Sequence, residues 1–507
     1  MAIMIDSFIF RKEEYMKKLI VIIVIFITSL NLFGCIKEKS SNEVIEKKES
    51  IVLGVRKLPE TLDIDELYSK EDNQIIYSLF DGLVELNESG NLSAALAESW
   101  EVKENGLEYI FKLRENITWS NGEKIIANDF VEFFSQILKS KEDWVKDLYS
   151  IYGVKEYAEG SASFEKTVSI IAVEDKILKI RMNNKDDKIL YKLTKPQFKL
   201  RKISNDLKSY KENYKNIITT GAYKINKIEQ DETIELKRNE YYWDEETTSP
   251  DKILVKSSGV GEKALVSLLM NEIDILSDIP SSEVGELMKK GSIDIFPLKL
   301  TKILEFNDKK DNIISNSNFR KAIEKSIVWE LSDFGIITNF KGELAQGKLE
   351  RNRENGVIKV SLNSNFDYEK EKQYSKLLAK EFIKNSNYSK ENIVLIGELT
   401  NENQELSEFI KKSVKSSIKI PIEIKLYDKK TLYDLINKND YDILIKNYEY
   451  NSNSTELSDV ENKLINNGYV VPLYFQNLFT CKSENIKYVS YYGDGVLKIK
   501  YINVEEK

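Results

Sequence analysis

Residues 422–446 read IEIKLYDKKTLYDLINKNDYDILIK. Ile422-Glu-Ile-Lys-Leu alternates apolar and charged residues, as a strand with one buried face does. Lys430 to Asn437 follows as a helix, and Tyr441 to Ile445 is a short apolar run of the kind buried in a sheet. Strand, helix and strand this close together form a β-α-β unit. Such a unit favours a parallel pair joined by a right-handed crossover.

Outward from this unit the two periods keep mixing. Ile51 to Val55, Leu107 to Leu113, Lys252 to Lys256, Gly468 to Phe475 and Val496 to Ile502 read as strands, and Gly221 to Arg238 as a hairpin turning at Glu229 to Glu232. Glu71 to Leu86 carries Ile75, Ile76, Leu79, Phe80 and Leu83 at helical spacing before the turn signal Asn87-Glu88-Ser89-Gly90. Asn128 or Asp129 is placed to cap a helix through Ile137, and Gly261 to Asn271 predicts another, buried through Ala264, Leu265, Leu268 and Leu269. The class is α/β with several sheets, and no internal repeat is evident.

Near the N-terminus, Met16-Lys17-Lys18 is a short basic start before an apolar run from Leu19 to Phe33. That run is roughly 15 residues, and a spanning helix needs about 20. Basic start, short apolar run and a small residue before a cut mark a secretory signal. Leu32-Phe33-Gly34-Cys35 resembles the lipobox of bacterial lipoprotein precursors. This implies that residues 1–34 are removed and that Cys35 takes a diacylglycerol, with acyl chains of the palmitate kind anchoring it at the membrane. Residues 1–15 fit none of this, and Met16 is the expected true start, because Arg11-Lys12-Glu13-Glu14 can be encoded by a purine-rich stretch like a ribosome-binding site. Residues 36–50 are rich in Lys, Glu, Ser and Asn and read as a solvated tether.

Hydrophobic residues make up 41% of the chain, ample for a sizeable core. Net charge is −8 with both signs interleaved, and no basic stripe suits nucleic acid. Besides Cys35 the only cysteine is Cys481, so acylation at Cys35 leaves no disulfide possible. The chain has no histidine, which removes the commonest general base and metal ligand together. A Ser-His-Asp triad, a Cys-His pair and a His-based zinc or nickel site are excluded. Ser258-Gly259-Val260-Gly261-Glu262-Lys263 comes nearest to a phosphate loop, yet Ala264 stands where Ser or Thr is required, so it reads as a loop entering a helix. No enzyme, cofactor or metal is expected.

Six ordered segments carry a resemblance. They are Tyr77-Ser-Leu-Phe-Asp-Gly-Leu-Val-Glu-Leu with Ala94-Ala-Leu-Ala-Glu-Ser-Trp-Glu-Val; Leu107 to Glu123 with Asn128-Asp-Phe; Thr220-Gly-Ala-Tyr with Arg238-Asn-Glu-Tyr-Tyr-Trp; Glu272-Ile-Asp-Ile; Glu305-Phe-Asn with Phe319-Arg-Lys-Ala-Ile; and Val471-Pro-Leu-Tyr. Together they resemble the peptide- and oligopeptide-binding proteins of ABC importers, the family 5 solute-binding proteins, over residues 51–474. Trp100, Trp119 and Trp243 read as core fillers, and Gly82, Gly122 and Gly221 as sharp bends.

The resemblance implies a large type II periplasmic-binding-protein-like fold of two lobes closing over a ligand. Lobe I would hold 51–80, 213–297 and 468–507, an extra subdomain 81–212, and lobe II 298–467. It implies a monomeric lipoprotein on the outer face of the cytoplasmic membrane, capturing a peptide or similar small solute for ABC permease subunits. Peptides in this family are held by backbone hydrogen bonds, as in strand addition. Counted against the family, the ligand-touching loop falls on Tyr68, Ser69 and Lys70, and aromatic walls near Tyr149, Tyr152 and Tyr474. The loop that pairs with the peptide ammonium falls on Tyr448, Glu449 and Asn451. There Tyr448 replaces the usual Trp and Asn451 the usual aspartate. Glu449 is a candidate substitute; its plainer reading is an exposed loop charge. The stretches 331–357 and 452–469 are short for the family, which leaves open a sensing lipoprotein of the same fold that feeds no importer. Replacing the Met16 codon in a reporter fusion is expected to abolish expression; loss only on replacing the Met1 codon rejects Met16 as the start.

Overall fold

The computed structural model describes residues 50–504, apart from 67–68, 88–89, 230–231, 247–249, 260–261, 278, 280, 291, 332–341, 346–352, 355–356, 359–367 and 450–464. Cys35, Tyr68 and Asn451 lie outside the described residues.

Lobe I is built on β1 (Ile51–Val55), buried along its whole length because both faces of the sheet are covered. It pairs in parallel with β10 (Lys252–Ser257) and β11 (Ile275–Leu276); β10 continues antiparallel to β9 (Thr233–Arg238), which forms a hairpin with β8 (Tyr223–Glu229). Alternate residues face opposite ways. Ile51, Leu53 and Val55 join Ile75, Ile76 and Leu79 of α1 (Lys70–Leu79), whereas Val52 joins Ala264 and Leu265 of α3 (Glu262–Leu269) and Leu287 of α4 (Ser281–Lys289).

Helix α1 stops at Leu79, short of the expected 86. Phe80 is already extended, and β2 (Val84–Leu86) pairs with β3 (Leu92–Ala94). The bend is forced at Gly221. A Cβ there would come within 2.7 Å of the Leu79 and Phe80 backbone, so its glycine serves close approach and not an unusual φ.

The extra subdomain holds an antiparallel sheet ordered β4 (Ala97–Lys103), β5 (Glu108–Leu113), β7 (Ile177–Arg181), β6 (Ile170–Glu174). Phe130, Phe133 and Phe134 of α2 (Ala127–Ile137) bury against Phe111 and Trp119. The N-cap of α2 is Ile126, not Asn128 or Asp129; Asp129 instead reaches back to accept from the Ile126 N–H at 2.9 Å.

In lobe II, β17 (Ile422–Tyr427) and β18 (Ile443–Glu449) are parallel and linked through α8 (Lys429–Asn437), as their spacing predicts, but they are not neighbours. Strand β16 (Ile393–Glu398) lies between them, parallel to both, because its apolar run is the most fully buried of the three. Helices α5 (Ser317–Ile327), α6 (Tyr368–Lys384) and α7 (Asn401–Ile418) cover one side of this sheet.

Two strands of thirteen residues run through both lobes, β12 (Asp294–Phe306) and β19 (Val470–Lys482), paired antiparallel. Their register jumps from Pro297↔Asn477 to Thr301↔Phe475, so Leu298, Lys299 and Leu300 bulge opposite Gln476. Below the bulge β19 packs Val471, Leu473 and Tyr474 into the lobe II core; beyond it Leu478 packs into lobe I. Strand β19 is therefore shared by the two cores. A third short strand, β13 (Gly342–Leu344), pairs with β19 at the bulge.

The run Val496 to Ile502 is not a strand; it turns in a 3-10 helix at Ile499–Tyr501. A strand would put Lys498 and Lys500 in solvent. Instead both are buried, Lys500 ion-paired to Glu85 at 2.6 Å and Lys498 donating to the Leu86 carbonyl at 3.2 Å. Asp81, accepting from Tyr242 Oη at 2.9 Å and Trp243 Nε1 at 3.0 Å, and Lys199, donating to the Val84 carbonyl at 3.4 Å, join Glu85 and Lys500 in a buried cluster of two acids and two lysines. Burial alone would lift the Glu85 carboxyl, but Lys500 holds it below its usual range; the Asp81 carboxyl is lifted by burial. Lys500→Met strands Glu85 without its cation and is expected to cost about 3–5 kcal/mol, read as a lowered denaturation midpoint. Lys500→Met with Glu85→Gln should recover much of that loss.

Candidate functional site

Between lobe I, the subdomain and lobe II lies a cavity of about 480 Å³, within the range of about 300–1,000 Å³ usual for small-ligand sites. Its floor comes from α1. Ser69 caps that helix, accepting from the Asp72 N–H at 3.0 Å while Asp72 accepts from the Ser69 N–H at 2.8 Å. With the helix started there, Ile75, Ile76 and Leu79 face the core, and Asn73 and Tyr77, one turn apart, face the cavity.

Tyr77 stacks on Tyr492 with ring centroids 4.3 Å apart and planes 25° from parallel. The two rings separate the cavity from the buried charges: Lys199 lies 5.5 Å from the Tyr77 centroid and Lys498 4.7 Å from that of Tyr492. Tyr492 opens a tight turn closed by the Gly495 N–H onto its carbonyl, and Gly495 takes φ +85°. That turn presents Asp494 to the cavity.

The third wall belongs to lobe II. Glu449, the last residue of β18, pairs with Leu300 in the β12 bulge, and the Lys299 N–H in the same bulge donates to the Gly493 carbonyl at 2.9 Å. Glu449 and Asp494 thus both hang from the crossing strand. Burial, and for Glu449 the nearby Asp494 charge, hold both above the usual carboxylate range. The Glu449 side chain nonetheless keeps contact with solvent. The outer wall mixes signs, with Lys195 on Asp147 at 2.7 Å beside Trp144. Aromatic, anionic and cationic groups around a wet cavity suit a polar solute carrying charges of both signs. Among the described residues no cluster could hold a metal ion.

The residues singled out in the sequence scatter. Glu449 lines the cavity, and Lys70 approaches it from α1, acting on Asp494. Ser69 is spent on its cap. Tyr448 packs beside Ile303 and Val470, and Tyr149 against the subdomain core. Tyr152 is exposed on the subdomain surface. Tyr474 is buried, its hydroxyl donating to Glu402 at 2.7 Å; Glu402 is also ion-paired to the buried Lys302 at 3.0 Å. Sequence reasoning missed Asn73, Tyr77, Tyr492 and Asp494. Gly493-Asp494-Gly495 was a readable turn signal, but nothing local told which cavity it faces.

Residues 91–458 match the family described as bacterial extracellular solute-binding proteins, family 5 Middle. The chain belongs to that family. Among its relatives, the oligopeptide-binding protein OppA of Bacillus subtilis is 26% identical over 263 residues, covering 50% of this chain and 48% of its own. The chain spans about half the length of the first curated relatives it matches. The structure of the Escherichia coli murein tripeptide binding protein MppA superposes with a TM-score of 0.74 at 18% identity, over 91% of this chain and 99% of that one. The pheromone receptor PrgZ gives 0.68 at 19% identity, over 90% of this chain and all of that one (100%). The fold is therefore the two-lobed one of the peptide-binding proteins.

Asp494→Asn is expected to lower the titration midpoint of Glu449, followed by carbon NMR of labelled carboxyls, since it removes the like charge that helps to lift it.

Proposed function

We propose that this chain is a binding lipoprotein that captures short peptides or similar small zwitterionic solutes outside the cell and hands them to an ABC importer. The observation that carries the reading is the cavity itself. It is closed by groups from lobe I, the subdomain and lobe II at once, so a bound solute adds contacts to all three and favours the shut arrangement. Glu449 and Asp494 on one side and Lys195 on the other supply opposite charges for the two ends of a small zwitterion. Family membership and the peptide-binding relatives support the same class of ligand. Cys35 would anchor the chain through its acyl chains to the outer face of the cytoplasmic membrane as a monomer.

A second reading keeps the fold and the ligand class but makes the protein a sensor. The pheromone receptor of similar fold and the Asn451 substitution favour it. Uptake of a labelled peptide by cells with and without the gene separates the two, since only an importer component changes it.

Thermal unfolding in mixed short peptides tests the capture. A ligand at a hundred times its Kd adds about 2.7 kcal/mol to stability, a clear rise in Tm. No rise with any di- to pentapeptide pool removes the peptide reading. Labelling with an alkyne-tagged fatty acid, lost in Cys35→Ser, tests the anchor.

A further inference from the structure

We propose that lobe I rests on the lipid bilayer through the outer face of α3, with Val266, Leu269 and Met270 dipping into the interface beside the tether. The inner face of this helix is already satisfied, since Ala264 and Leu265 are buried with Val52 of β1 and Leu287 of α4. Its outer face is apolar as well: Val266 is 52% exposed, Leu269 69% and Met270 70%. The Met270 N–H donates to the Val266 carbonyl at 2.9 Å, so the helical turn runs on to Met270 before Asn271 ends it at φ +57°. Positions i, i+3 and i+4 stand side by side on a helix, and the three side chains form one ridge. Nowhere else among the described residues do three exposed large apolar side chains fall within five residues of chain.

Position decides what covers the ridge. Met270 stands four residues before Asp274, whose carboxylate accepts from the Val52 N–H at 2.8 Å and whose own N–H donates to the Val52 carbonyl at 2.7 Å. Four residues reach at most roughly 14 Å. The ridge therefore lies close to Ile51, where residues 36–50 join the body. A solvated tether of that length averages about 20–25 Å between its ends and cannot exceed roughly 50 Å. A folded body of this size is roughly 60 Å across. With Cys35 held in the bilayer, the part of the body kept against lipid is the part around Ile51, and the inference rests on that anchor.

None of the three ridge residues lines the cavity between the lobes. Charges beside the ridge come in opposed pairs, Lys256 with Glu272 at 3.6 Å and Lys290 with Glu286 at 3.8 Å. Attraction to anionic headgroups is thus small, and the contact is made through apolar area, as with a shallow interfacial helix.

The test uses the acylated chain in phosphatidylcholine vesicles. A nitrobenzoxadiazole dye is clicked onto azidophenylalanine at position 269 or at the exposed positions 152 and 412, and its quenching by doxyl-labelled lipid is read. Quenching at 269 is expected to exceed that at 152 and 412 about fivefold, since an apolar ridge buries roughly 5–10 Å into the headgroup boundary. It should survive about 1 M salt, where the screening length falls to about 3 Å. Val266→Ser with Met270→Ser, both on the exposed face, should bring position 269 down to the level of the controls while the acyl chains keep the protein on the vesicles. Equal quenching at all three positions of a fully acylated chain overturns the proposal and leaves the anchor standing. A chain that takes up no fatty acid removes the anchor reading, and this one with it. Loss of the quenching at 269 in salt, or photo-crosslinking from position 269 to a second copy in place of lipid, also overturns it.

Discussion

The pairing of β12 with β19 is the constraint on which the rest of this structure hangs. Each strand belongs to two cores at once, and each is hydrogen-bonded mainly to the other where it passes between them. A continuous ladder through that point would weld the lobes into one sheet. The bulge at Leu298, Lys299 and Leu300 breaks it at the residue after Pro297, whose missing N–H cannot serve the ladder in any case, and a second, smaller shift follows between Lys302 and Ile303. The interruption sits where the two apolar cores part. The bulge residues Leu298 and Leu300 stay buried in the lobe I core.

That break also organises the cavity. The carboxylate from lobe II and the one from the C-terminal turn are both attached to the bulge, through the Leu300 pairing and the Lys299–Gly493 hydrogen bond. The subdomain behaves differently, because the Asp81–Glu85–Lys199–Lys500 cluster ties it to lobe I. Four buried charges tolerate little rearrangement, since separating any one from its partners leaves it desolvated and uncompensated. Lobe I and the subdomain are thus tied together through buried charge.

Much of this was legible locally. The strands and helices of residues 221–238 and 422–446 follow from period alone, because each buries one face against a neighbour already fixed by the chain. Reading failed where a long-range partner overrode the period. Helical spacing runs on past Leu79, but the close approach at Gly221 and the pairing of Val84 with Ala94 end the helix early. The alternation of Val496 to Ile502 looks like a strand until Glu85, more than four hundred residues upstream, takes Lys500 inside. Of the candidate site residues, Glu449 reaches the cavity while Tyr474 turns into the core, and aromatic character alone gives both tyrosine and its neighbours the same expectation.

By itself, the order of apolar and charged residues determined the α/β class, the family blocks and the exclusion of histidine-dependent chemistry, because period and composition act within a few residues. Tertiary structure alone decided which strand lies between β17 and β18, where the lobes divide along β19, and which side chains meet in the cleft. Those outcomes depend on which distant surfaces bury each other best, a competition between segments hundreds of residues apart that no local pattern records.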